Sequence, residues 1–146
     1  MTLWEPETRR TLQQRVARLT PAHPAKWGRM SAPQMVSHLI ENMRMATGEL
    51  AVAGRPGLLR YSPIKQLVIY YAPFPKGVPT APELIARSPK EWTDDVQQLN
   101  VLIDRFLARN VSGAWPEHPA FGTLSGRAWG VLACRHIDHH LRQFGV

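Results

Sequence analysis

The stretch from Trp92 to Phe106 constrains the fold more than any other. Trp92, Val96, Leu99, Ile103 and Phe106 recur at spacings of four and three residues, which lines all five along one stripe of an α-helix. A strand would scatter them over both of its faces. A helix with a stripe that wide must bury it against other helices, and the rest of the chain supplies them. One segment runs from Pro6 to Leu19, with Leu12, Val16 and Leu19 together. A second begins at "SAPQ", where Ser31 and Gln34 have the spacing of a capping box. It carries Met35, Leu39, Met43 and Ala46 on one face and stops at Gly48. The Trp92 helix is expected to start at "SPKEW", with Ser88 as its cap. A last helix runs from about Ser125 to Phe144. No segment shows convincing strand alternation.

These features predict an all-α chain: a four-helix bundle, one domain over residues 1–146, with a long crossover between the second and third helices. The crossover, residues 48–82, is the least readable part. Its "SPIKQLVIYYA" suits a short buried helix or a strand equally well. Ile64, Leu67, Val68 and Tyr71 in it could serve a contact between two copies of the chain. The charge of +7 permits a polyanionic partner, but the basic residues are scattered without aromatic interleaving, which argues against a nucleic-acid surface. No apolar run reaches the length of a membrane span, and the N-terminus lacks a secretory layout. The single cysteine, Cys134, excludes an internal disulfide and fits a reducing compartment, so a cytoplasmic location is expected.

The chemistry concentrates in "ACRHIDHHLRQFG" near the C-terminus. At about 100° per residue, His140 falls about 40° from His136 and Trp129 about 20° from it, so both histidines centre the apolar face. Asp138, at about −160° on the same wheel, is expected on the solvent side, and His139 on the flank. Imidazoles at i and i+4 can meet one divalent ion. Each could equally hydrogen-bond to a separate core neighbour. His38 in "MVSHLIEN" flanks the apolar stripe of the second helix and suits a third ligand in a cleft between helices, or an ordinary interfacial histidine. Asn42 shares its face. Glu41 could orient an imidazole, though a solvated carboxylate is the simpler reading. His23 and His118 lie in His-Pro pairs in loops, with His118 placed to line the mouth of the last helix.

One histidine on the second helix and H-x-x-x-H on the fourth resemble the DinB-like (YfiT-like) superfamily of metal-binding four-helix bundles. "WGRMSAPQMVSHL", "PFPKGVPTAPEL" and "HPAFGTLSGRAWGVLACRHIDHHLRQFGV" are similar to a branch of it whose function is not established. The resemblance spans nearly the whole chain. It implies a divalent metal, zinc or nickel, held by His38, His136 and His140. It also implies a metal-dependent enzyme acting on a small molecule, either a transferase using a low-molecular-weight thiol or a hydrolase. A non-catalytic, metal-stabilised binding module is the alternative. Three neutral ligands leave an ion its full charge and an open position, which would lower the pKa of a water or a thiol there. Asn42, Glu41, His139 and His118 are the candidate pocket residues around it.

Overall fold

The computed structural model describes residues 1–77 and 79–146 and is all-helical among them. Five α-helices follow one another: α1 (Pro6–Ala17), α2 (Ala32–Thr47), α3 (Ile64–Tyr70), α4 (Trp92–Ala108) and α5 (Gly126–Gln143), with short 3₁₀ turns at Leu58–Arg60 and Pro82–Leu84. The four long helices match the four expected segments. No helix is long and apolar enough to cross a membrane.

The ends of the helices follow local chemistry. Ser31 Oγ accepts from Gln34 N at 3.3 Å while Gln34 Oε1 accepts from Ser31 N at 2.9 Å. Both halves of the capping box therefore form at the start of α2. Gly48 closes that helix with φ +83°, a left-handed conformation that costs glycine little. Ser125 caps α5 by accepting from Ala128 N at 3.2 Å. The start of α4 corrects the expectation. Glu91 is the cap, accepting from Thr93 N at 2.8 Å, and Ser88 is not. The reason lies in Asp95, whose carboxylate takes the Arg87 guanidinium and also Lys90 N at 2.8 Å. Those bonds hold the chain ahead of Glu91 outside the helix.

α2 packs on α4 and α5, and α1 packs on the same two. Leu99, Ile103 and Phe106 of α4 and Met35, Leu39 and Met43 of α2 are almost wholly buried between them. Each such side chain contributes about 1.5–3 kcal/mol of transfer free energy. α5 is covered on several sides, because α1, α2 and α3 all pack against it. Gly130 leaves room for the N-terminal segment, since a Cβ there would meet Trp4 and Thr2; Leu3 N donates to Gly130 O at 3.1 Å and Trp4 Nε1 to Gly126 O at 3.0 Å.

This wrapping overturns the solvent-side placement of Asp138. It is 8% exposed, bonded to Arg15 of α1 at 2.7 Å and to Arg142 at 3.0 Å. Arg135 of the same helix donates to the Val68, Ile69 and Ala72 carbonyls at the end of α3. Glu41 is likewise buried rather than solvated, with Arg44 at 2.9 Å. The 62–72 region resolves as a helix, but not as a buried one. Ile69 is buried and Val68 packs on the core, while Ile64, Leu67 and Tyr71 are exposed.

Candidate metal centre

α2 and α5 lie side by side, and their inward stripes bring His38 against His136 and His140. The three ring centroids are 4.8–5.1 Å apart. His136 Nε2 lies 3.3 Å from His38 Nε2 and 3.1 Å from His140 Nε2. His38, which flanks the apolar stripe on the helical wheel, is only 4% exposed in the fold. The turn carrying Leu84 closes over its flank.

Two oxygen atoms decide which nitrogens face the centre. His38 Nδ1 is 3.0 Å from the Leu84 carbonyl and His140 Nδ1 is 2.8 Å from Gln143 Oε1. Both oxygens can only accept, so each Nδ1 carries the proton and each Nε2 presents a lone pair. Gln143 is itself oriented from outside, since its Nε2 donates to the Trp27 carbonyl at 2.8 Å. Gly28 makes that approach possible, because a Cβ there would sit 2.6 Å from Gln143 Nε2 and φ is +80°.

The result is two inward lone pairs and one neighbouring nitrogen, on His136, that could donate to only one of them. Nitrogens held by a tetrahedral ion with bonds near 2.0–2.1 Å would lie roughly 3.3 Å apart. Two of the three separations, 3.1 and 3.3 Å, match that spacing, and all three ligand atoms lie within 4.8 Å of one another. Burial also keeps these rings uncharged. It pushes His140 down to about 3, with the nearby His38 adding to the effect. His136 is driven well below the usual histidine value by burial and then by the His140 and His38 imidazoles. His38 is lowered by burial, partly offset by the Leu84 carbonyl. Neutral imidazoles are the form that binds a cation.

The cluster lies on the wall of a cavity of about 1220 Å³. Asn42 lines it and donates to the His38 carbonyl at 2.8 Å. Its amide nitrogen is 3.2 Å from both nitrogens of the His38 ring, so it rests against the ring rather than bonding in line with either. His139 stays on the flank, edge-on to Trp27 at 5.9 Å, and lines the cavity without joining the cluster. His118 lines the cavity from the loop before α5. Glu41 does not: it belongs to the α2 ion pair with Arg44. Cys134 is fully buried, with its thiol raised to about 12 by burial.

Two partners escaped the sequence reading. Gln143 lies seven residues after His136 and three after His140, which places it on the inward face, so the wheel could have found it. The Leu84 carbonyl left no such sign. In comparison with known proteins, a family model described as "Protein of unknown function (DUF1569)" matches residues 7–145. No curated protein and no solved structure matches the chain.

Proposed function

The chain belongs to the DUF1569 family, and from its own residues we propose that it is a metal-dependent enzyme acting on a small molecule. In this reading it is a four-helix bundle of the DinB-like kind, in which His38, His136 and His140 hold a divalent ion, zinc or nickel. The observation that carries the reading is the convergence of the three Nε2 atoms, with the His38 and His140 tautomers set by Leu84 O and Gln143 Oε1. Ligands whose far nitrogens are held by fixed oxygens are typical of functional metal sites.

A bound ion would supply Lewis acidity at the cavity wall, where a thiol or a water loses its proton more readily. The chain's residues do the remaining work. Gln143 and the Leu84 carbonyl keep the imidazoles aimed. Asn42 holds the His38 ring from one face. Trp129, Leu132 and Phe121 exclude water from the adjoining wall. The cavity exceeds the volume of about 300–1,000 Å³ usual for a single small ligand. That size favours a transferase that joins a low-molecular-weight thiol to an electrophile over a one-substrate hydrolase.

Elemental analysis of protein purified without an affinity tag tests the site. About one equivalent of metal is expected, falling to background in His38→Ala. A metal-free wild type, or a variant that keeps its metal, overturns the assignment. Retained metal without turnover across panels of thiols with electrophiles, and of esters, would favour the non-catalytic module instead.

A further inference from the structure

The cavity continues past the three imidazoles to a wall built by the loop before α5. There His118 Nδ1 accepts two backbone N–H groups, from Ala120 at 3.1 Å and Phe121 at 3.2 Å. A ring nitrogen that accepts cannot also carry the proton, which therefore sits on Nε2. The ring packs against Phe121 and Trp129, with centroids 4.9 and 5.3 Å away. Its loop is fastened at several points. His118 and Gly122 exchange two backbone bonds of 2.8 Å, Arg55 N donates to Pro119 O at 2.8 Å, and Trp129 Nε1 donates to Pro116 O at 3.1 Å. Burial keeps this imidazole uncharged, with its pKa down to about 4.

His118 lines the cavity, and among the described residues no acceptor meets its Nε2–H. A rigid, neutral donor is thus left to the cavity. Arg55 lines the same space, and none of the described lining residues is a carboxylate. Glu83 is close enough to feel Arg55 but lies outside the lining. Trp129, beside His118, is seven residues before His136 on α5, about 10 Å along a helix. The wall between is apolar, with Trp129, Leu132 and Ala133.

We propose that His118 Nε2–H and the Arg55 guanidinium form a second subsite for a carboxylate. The substrate would then be an apolar-bodied acid whose reacting end meets the histidines of α5 two helical turns beyond Trp129. This rests on the metal reading above for the reacting end only. A preformed donor and a cation in a cavity free of competing carboxylates favour an anionic oxygen over a neutral one.

A ladder of ω-mercaptocarboxylates tests the spacing on the zinc-loaded protein. At roughly 1.2 Å per bond of extended chain, 8-mercaptooctanoate matches the two helical turns that separate Trp129 from His136 and 3-mercaptopropionate does not. The eight-carbon acid is expected to bind about tenfold tighter than 8-mercaptooctanol, an increment in keeping with one charged hydrogen bond. In His118→Asn the amide oxygen can still accept the two backbone N–H groups. That variant should lose the tenfold advantage while keeping its zinc and its affinity for the alcohol. Equal affinity of acid and alcohol, or an advantage that survives in His118→Asn, overturns the subsite. Octanoate with the metal-free protein gives a separate arm: it should shift the ¹⁵N resonance of His118 Nε2–H, and failure to do so also overturns it. Loss of all zinc and thiol binding, with the octanoate shift present, would instead overturn the metal reading and leave the subsite standing.

Discussion

Gln143 offers the sharpest perturbation, because one buried side chain serves both the fold and the candidate metal centre. It is 4% exposed and makes two hydrogen bonds of 2.8 Å, accepting from His140 Nδ1 and donating to the Trp27 carbonyl. Replacement by leucine leaves both partners without their bonds. At about 1–3 kcal/mol for each stranded buried group, and with water able to reach the half-buried Trp27, the cost is about 3 kcal/mol. Unfolding entropy near 2.1 cal/mol/K per residue gives roughly 0.3 kcal/mol/K for 146 residues. The melting temperature of the metal-free protein should therefore fall by about 10 °C. Metal affinity should fall about 10–100-fold, because His140 loses the oxygen that fixes its tautomer. Gln143→Glu separates the two effects. It removes only the donor to Trp27 and keeps an oxygen for His140, so stability should drop while metal affinity is preserved or raised. Melting of the metal-free proteins and competition with a chromophoric chelator measure both quantities. A Gln143→Leu variant that binds metal within twofold of the wild type would refute the reasoning.

Three further outcomes follow from the packing and the titrating groups. His118 has its folded pKa depressed to about 4, so below about pH 6.5 the unfolded chain takes up a proton that the folded chain refuses. Stability of the metal-free protein should hold above that pH and fall by about 3 kcal/mol from this group alone as pH drops to 4; flat urea midpoints between pH 7 and 4.5 would contradict it. Gly130→Ala normally favours a helix by about 1 kcal/mol, but here the new methyl meets the Trp4 indole and the Thr2 hydroxyl. Its melting temperature should fall, and a rise would show that the N-terminal segment does not pack there. Cys134, buried with a thiol near 12, should react with an aromatic disulfide reagent only at the rate of unfolding, so rapid labelling of the native protein would exclude that burial.

The four long helices, the cap at Ser31, and the inward aim of His136 and His140 were all legible in the linear chain. Each depends on neighbours within four residues, where helix geometry leaves no freedom. The same local logic misplaced Ser88, because the carboxylate that holds residues 87–90 out of α4 belongs to Asp95, inside the helix. It also misplaced Asp138 and Glu41. A wheel tells which residues share a face, but not how many other helices will cover it, and α5 is covered by three. The meeting of His38 with the α5 pair required α2 and α5 to pack in one register among several that their stripes allow. The Leu84 carbonyl that turns the His38 ring is further still from the sequence. Every residue has such a carbonyl, so only the folded backbone selects the one that serves.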